Sequence, residues 1–273
     1  AWQRAAQIYA GRQDMANMAK YYEGLIQNFP KASPAALAEA HFLLGRAAFD
    51  QGDFKSSISH MAEAKTLDPQ KYGEQVNVLS VLSYHKLQDV NKLKEALETL
   101  QKENPSAVAR VPDVIPAWLG LQAYGMKDLE TADKYMTWAT QNDQLQNVKK
   151  VIWRNLAKVR LALRKYDRAL VASNNFLKDE DQPYRRADGM LDKASILLGL
   201  GKYADARKTA EDALALGVEG PLMASLKIVL GDISYAEKKF DEAAKHYGVT
   251  AELFVNDAEL KPKALFKAAE ALD

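Results

Sequence analysis

The sequence predicts an all-α protein, a right-handed α-α superhelix (solenoid) of about seven helical hairpins followed by a closing helix. The first observation is an internal repeat. Every 36 to 39 positions, a large apolar or aromatic residue stands three places before a second residue, which is mostly small. A fixed period in that range indicates stacked helical units, each of which buries its apolar face against its neighbours. The first members of the seven pairs are Met15, Phe54, Leu93, Leu129, Tyr166, Tyr203 and Phe240, and the second members are Met18, Ser57, Ala96, Ala132, Ala169, Ala206 and Ala243.

The second observation is the pattern inside each repeat, where apolar residues recur at three- and four-residue spacing, as on the buried face of a helix. Short polar turns that often contain Gly or Asp, such as Gln51-Gly52-Asp53, join two such helices, and prolines separate successive repeats. No alternating strand pattern competes. The predicted repeats, which form one continuous array over residues 1–273, are 1–37, 38–76, 77–112, 113–149, 150–186, 187–223 and 224–260, with a closing helix at 261–273.

Three local expectations follow in chain order. We expect Phe54, Tyr166, Tyr203 and Phe240 to occupy equivalent buried sites beside the small residues three positions later. The proline-containing link Glu103 to Asp113 is the least regular connection. The closing helix begins near Pro262 and is expected to cap the array with a polar outer face of Lys263, Lys267 and Glu270.

Composition and motifs exclude several functions. The 37 basic and 36 acidic residues balance, which argues against nucleic acid as a partner, and no apolar run is long enough to enter a membrane. The four histidines lack a partner three or four places away, so the sequence predicts no metal site and no cofactor. Gly199-Leu200-Gly201-Lys202 lacks the residues that a phosphate-binding loop requires, and no catalytic constellation is present. We therefore predict a protein that is not an enzyme.

The residues resemble the tetratricopeptide repeat family. The second repeat carries the resemblance most clearly through His41, Leu44-Gly45, Ala48, Phe54, Ser57, Met61, Ala64 and Pro69. Related residues recur at Leu119-Gly120, at Leu156-Ala157 after Trp153, and at Leu230-Gly231, whereas Ser83-Tyr84 replaces the Leu-Gly pair in the third repeat. The resemblance implies a non-enzymatic scaffold that binds a peptide or a partner helix in the concave groove of the array.

A local excess of basic residues lies between Lys149 and Arg168. Lys150, Arg154 and Lys158 are spaced by four and form one stripe on the first helix of the fifth repeat. The corresponding positions of the family face the groove, so one interpretation is a cationic seat for an acidic partner. The other interpretation is neutralisation by nearby acids, and it is favoured because stacked repeats bring these charges together. The acids are Asp179-Glu180-Asp181 and, on the next first helix, Asp188 and Asp192.

The same helix phase, transferred to the other repeats, predicts further groove residues, and exposed aromatic side chains there are suitable anchors for a bound segment. These candidates are Phe42, Arg46, Phe49, Val81, His85, Leu121, Tyr124, Ile228 and Tyr235.

Two functional alternatives remain open at this level. Segments such as Phe29-Pro30 and Ser33-Pro34 are similar to repeats of bacterial envelope proteins, and this resemblance favours a periplasmic or envelope scaffold over a cytoplasmic protein. The alternative is a recruiting or regulatory domain of a larger multidomain enzyme.

Overall fold

The computed structural model describes residues 1–141, 146–254 and 257–272. The chain divides into two compact units, Ala1–Ile115 and Pro116–Asp273, and each is described by itself. The described residues form helices and no strands, which confirms the predicted all-α class. The prediction of one continuous array stays a prediction.

The first unit contains three helical hairpins and a 3-10 helix, Pro105–Arg110, which occupies the predicted irregular link. Arg110 of this link forms an ion pair of 2.7 Å with Glu74. The six α-helices are α1 (Trp2–Gly11), α2 (Met15–Asn28), α3 (Pro34–Asp50), α4 (Phe54–Leu67), α5 (Pro69–Lys86) and α6 (Val90–Glu103).

The second unit contains four further hairpins and a closing helix. Its helices are α7 (Val114–Gly125, which begins at the end of the first unit), α8 (Leu129–Thr140), α9 (Gln146–Ala162), α10 (Tyr166–Lys178), α11 (Pro183–Gly199), α12 (Tyr203–Leu214), α13 (Gly220–Ala236), α14 (Phe240–Leu253) and α15 (Leu260–Leu272). None of the described helices combines the length and the apolar character that crossing a membrane requires.

The same turn joins the two helices of all seven hairpins. Each turn contains one residue with a positive φ, and the next residue donates its N–H to the carbonyl five positions earlier at 2.8–3.1 Å. This Schellman-type pattern satisfies carbonyls that the end of the first helix would leave unpaired. Only two of these seven turn residues are glycine. The seven are Gln13, Gly52, Gln88, Lys127, Arg164, Gly201 and Lys238.

The residue after the left-handed position caps the second helix, and its chemistry changes along the chain. In the first four hairpins it is an aspartate whose side chain accepts a backbone N–H, as Asp53 does from Ser56. In the last three it is a lysine, which cannot accept such a bond. Lys165 instead reaches back to the preceding repeat.

Small residues mark the sites where the two helices of a hairpin approach closely. Ala132, Ala169, Ala206 and Ala243 are completely buried, as the repeat pattern predicts. A Cβ placed on Gly231 would lie 2.3 Å from the Tyr247 ring. The glycine therefore makes room for a large side chain of the second helix.

The third repeat required a correction of register. Its second helix begins at Val90, so Val90 is the equivalent of Phe54, and the completely buried Leu93 takes the place of the small residue. Ser80-Val81, and not Ser83-Tyr84, accordingly stands where the second repeat has Leu44-Gly45. The predicted pair Leu93 and Ala96 was wrong because it lies three residues too late in the repeat. The pair at the correct position is Val90 and Leu93.

The expectation of buried aromatic anchors was also wrong. Phe54, Tyr166 and Tyr203 are half-buried, and Phe240 is 44% exposed. Each is the first residue of a second helix, and the Tyr166 ring lies against Gly199 at the end of α11. Phe54 packs edge-to-face on Phe49 with ring centroids 5.4 Å apart.

The closing helix α15 differs from the prediction in its outer face. Ala264 and Ala271 are buried, and Ala271 joins the cluster around Tyr247. Lys267 turns inward to Asp232 at 2.7 Å, and Leu265, Phe266 and Leu272 are each at least half exposed. Lys263 and Glu270 are exposed as predicted, so the outer face of the helix carries both charged and apolar residues.

Candidate functional site

Four of the predicted groove residues occupy one equivalent position in their repeats. The position lies three residues before the left-handed turn residue, and its backbone carbonyl accepts the N–H of that turn residue. The four predicted residues at this position are Phe49, His85, Tyr124 and Tyr235. Leu161 and Leu198 occupy this position in the fifth and sixth repeats. The position is therefore apolar or aromatic in all four repeats of the second unit. We call Tyr124, Leu161, Leu198 and Tyr235 the turn-proximal row.

The turn-proximal row is partly accessible. Tyr124, Leu161 and Leu198 are half-buried, and Tyr235 is 43% exposed. Tyr235 packs edge-to-face on Phe240 with ring centroids 5.3 Å apart, in the arrangement that Phe49 and Phe54 form in the first unit. Such support fixes the orientation of a ring while leaving part of its surface open.

The remaining predicted groove residues are distributed between surface and core. Arg46 is exposed and lies three residues before Phe49. Leu121 is half-buried and lies three residues before Tyr124. Phe42 stacks on Tyr72 with centroids 4.6 Å apart. Val81 and Ile228 are buried, with exposures of 0% and 5%, so their prediction as groove residues was wrong. Val81 failed through the register shift, and Ile228 is covered by the cluster around Tyr247.

The structure pairs all three cations of the predicted stripe. Lys150 donates to the backbone carbonyl of Asp179, and Arg154 forms an ion pair with Asp188. Lys158 Nζ lies 3.7 Å from Asp192 Oδ2. The contacts of Arg154 and Lys158 join the first helices of two adjacent repeats, α9 and α11, whereas Asp179 directly follows α10. Arg154 and Lys158 thus face acids of the next repeat, as the neutralisation interpretation expects, whereas Lys150 contacts an uncharged carbonyl.

Asp192 is held in an unfavourable environment for a carboxylate. Its side chain is only 15% exposed, and among the described residues its Oδ2 atom has no hydrogen-bond partner. Burial raises the pKa of Asp192 to about 6, against the opposing effect of the Lys158 and Arg154 charges. The ion pair at this site thus does not fully compensate the cost of burying the charge.

We expect Asp192→Asn to stabilise the protein at pH 7 but not at pH 4. The pKa of Asp192 is higher in the folded state than in the unfolded state, so proton binding to this carboxyl stabilises the folded state. This stabilisation is complete below the unfolded-state pKa and is lost as the pH rises through about 6. The neutral amide avoids this loss, which corresponds to about 1–3 kcal/mol. Urea unfolding at both pH values measures the difference. Asp212→Asn, at an exposed ion pair, is the control, and an equal effect of both variants would contradict the assignment.

A buried ionic cluster between the fourth and fifth repeats was missed by the sequence analysis. Arg160 Nε donates to Asp133 at 2.8 Å, and Lys165 Nζ donates to the other oxygen of the same carboxylate at 3.0 Å. Burial acts to raise the pKa of Asp133, but the hydrogen bonds from these two cations outweigh it, and the pKa is lowered. Arg160 also donates to Thr137 and to the carbonyl of Arg168.

An analogous contact lies between the sixth and seventh repeats. Arg207 occupies the position of Asp133, six residues after the left-handed turn residue, and Ser234 occupies that of Arg160. Arg207 donates to Ser234 at 3.1 Å and forms ion pairs with Glu237 and Glu242 at 2.7 and 2.6 Å. The same stacking position thus carries a carboxylate in the fourth repeat and a guanidinium in the sixth.

No three histidine, aspartate or glutamate side chains converge as a metal site in the part of the chain that the structure describes.

Comparison with known proteins confirms the predicted resemblance. The family model of the tetratricopeptide repeat matches residues 4–72 and 191–252. These segments contain the first two hairpins and parts of the last two. No curated protein matches the chain by sequence.

Solved structures share the fold at low sequence identity. Over its whole length the chain is similar to a chain in the structure of Naa15/Naa10 bound to HypK-THB, with 14% identity and a TM-score of 0.56, but it spans only 39% of that chain. For the apo form of RapI, the identity is 15%, the TM-score 0.50, and the match covers 86% of this chain and 70% of that one. A tetratricopeptide repeat protein from Parabacteroides merdae matches 98% of this chain and 97% of its own, with 16% identity and a TM-score of 0.41. These similarities concern the fold alone.

Proposed function

We propose that this chain, with its tetratricopeptide repeats, is a non-enzymatic scaffold that binds a peptide or a partner helix along the first helices of its second unit. Proteins with this fold generally mediate protein–protein interaction. The observation that carries the finer proposal is the turn-proximal row, in which four consecutive repeats present an apolar or aromatic side chain at one position. A regular row of such anchors suits an elongated partner.

The charges of the second unit support apolar anchoring over a cationic seat for an acidic partner. Arg154 and Lys158 already face Asp188 and Asp192, so an acidic partner would have to displace these intramolecular contacts. Such a displacement leaves a half-buried carboxylate without its cation, which is costly. The partner that fits best therefore contributes apolar side chains to the row.

We place this scaffold in the bacterial periplasm or envelope. The support is the resemblance of Phe29-Pro30, Ser33-Pro34 and their neighbours to repeats of envelope proteins. A fusion of the full-length protein to a reporter that is active only after export tests the location, and an inactive reporter would contradict it.

We expect Tyr124→Ser combined with Tyr235→Ser to weaken partner binding at least about tenfold, because truncated anchor residues commonly cost more than 1 kcal/mol each. The partner is identified by affinity capture from the source organism with the wild-type chain, and its Kd is then measured with purified components. Val171→Ser, at a 55% exposed residue of the second helix α10, is the matched control. Equal affinity of the double variant and the wild type would place the binding surface elsewhere.

A further inference from the structure

Two histidines meet inside the second hairpin, although they are 19 residues apart in the sequence. His41 lies on α3 and His60 lies on α4, and their Nδ1 atoms are 3.0 Å apart. The ring centroids are separated by 5.2 Å with an angle of 46° between the planes. Both side chains are half-buried, so the pair remains within reach of a small solute.

Close packing of the hairpin brings these rings together. A Cβ on Gly45 would lie 3.2 Å from the His60 Cβ, so the glycine of the Leu-Gly pair permits α3 to approach α4 at this level. The backbones of two packed helices thus set the distance between the Nδ1 atoms. A site carried by helices holds its ligands more firmly than one carried by loops.

The surroundings of the pair favour a cation while keeping the imidazoles neutral. Burial lowers the pKa of both histidines, and the neighbouring ring lowers that of His41 further. The other charged groups that act on the pair are carboxylates: Glu63 acts on both rings, and Glu23 of α2 and Asp53 act on His60. Neutral imidazole nitrogen is the form that binds metals, and adjacent negative charge adds attraction for a positive ion.

We propose that His41 and His60 chelate one divalent transition-metal ion through their Nδ1 atoms, with copper(II) as the preferred metal. At metal–nitrogen distances near 2.0–2.1 Å, two ligands at a right angle are about 2.9 Å apart, whereas tetrahedral ligands are about 3.3 Å apart. The observed 3.0 Å matches the right angle of a square-planar or tetragonal site, which copper(II) and nickel(II) adopt. Copper(II) also binds nitrogen ligands more tightly than the other divalent ions of the first row.

Binding requires a shift of one proton and a turn of the two rings that directs both Nδ1 lone pairs at the metal. Without a metal, one neutral ring donates its Nδ1–H to the Nδ1 atom of the other, and on chelation the donor ring carries its proton on Nε2 instead. Water completes the coordination, because no third histidine or carboxylate converges with the pair among the described residues. The site is thus a two-imidazole chelate that is open on one side.

The test is a titration of the full chain, freed of metal by a chelator, with copper(II), nickel(II) and zinc(II) salts. Calorimetry at pH 7 is expected to show one copper(II) equivalent per chain with a lower Kd than for zinc(II). His41→Gln and His60→Gln are expected to raise this Kd at least tenfold, whereas His85→Gln and His246→Gln leave it unchanged. Acidification to pH 5 is expected to weaken binding, because protons compete for the same nitrogens.

A second measurement keeps the proposal testable if the glutamine variants unfold. Nitrogen-15 spectra of the wild type resolve the four histidine side chains, and copper(II), which is paramagnetic, is expected to broaden the Nδ1 resonances of two of them. Copper(II) binding that persists in folded His41→Gln and His60→Gln variants would overturn the proposal. Unchanged Nδ1 resonances would likewise show that the pair is only a structural hydrogen bond.

Discussion

Gly120→Ala is expected to destabilise the second unit by about 1–3 kcal/mol, the usual cost of overpacking a tight helix contact. A Cβ at this position would lie 2.7 Å from Met136 Cγ and 2.9 Å from its backbone nitrogen. The flexible side chain of Met136 can move away, but the backbone atom cannot move without shifting α8 against α7. The added methyl group therefore forces these two helices apart.

Gly248→Ala is the matched control for this substitution. Gly248 lies within α14 of the same unit, and nothing is within 4 Å of the Cβ that alanine would add. Since alanine favours the helix over glycine, this variant is expected to gain up to about 1 kcal/mol. Urea unfolding followed by circular dichroism compares the two variants. A Gly120 variant as stable as the wild type would show that the helices do not cross as closely as the structure places them.

The sequence predicted most of the fold because each repeat shows the same local chemistry. Small residues of the first helices, such as Gly120 and Gly231, recur at a fixed interval and contact the second helix of their own hairpin, so their role could be inferred from spacing. Ala206 represents the corresponding small residue of the second helices. The third repeat was misread because Leu93 and Ala96 imitate the expected pair. Only the start of α6 at Val90 reveals the correct register.

The candidate site was less predictable, since its contacts link residues far apart in the chain. The phase argument found Tyr124 and Tyr235 but could not distinguish them from the buried Val81 and Ile228. The His41–His60 pair escaped because metal-ligand spacing was sought within one helix. Neutralisation of the stripe by Asp188 and Asp192 was expected from the stacking of adjacent repeats, but the sequence does not give the distance between their first helices.

Arg160→Met is expected to produce the largest loss of stability, about 3 kcal/mol, because it removes one partner from a buried ion pair. The side chains of Arg160 and Asp133 are only about one-tenth exposed. Methionine fills much of the volume, but Asp133 then keeps Lys165 as its sole cationic partner in this cluster. The carbonyl of Arg168 and the hydroxyl of Thr137 also lose their donor.

The pH dependence of this loss separates electrostatics from packing. The pKa of Asp133 is lowered from its ordinary value of 3.8, so its charge stabilises the folded state above that pH, and this contribution is lost as the pH falls through the lowered pKa. The difference between wild type and Arg160→Met is therefore expected to be complete at pH 7 and to shrink below pH 4. Urea unfolding at a series of pH values measures it. A difference that is constant across the series would assign the loss to packing.

Two further variants show whether the cost arises from an uncompensated charge. Lys208→Met breaks an exposed pair with Asp212 and is expected to change stability by less than about 0.5 kcal/mol. In the double variant Arg160→Met with Asp133→Leu, no buried carboxylate remains without its partner, so much of the lost stability is expected to return. Because the apolar pair preserves neither charge nor hydrogen bonds, a recovery of stability would mean that the intact ion pair contributes little net stability. A double variant less stable than Arg160→Met alone would instead show that Asp133 still stabilises the stack through Lys165.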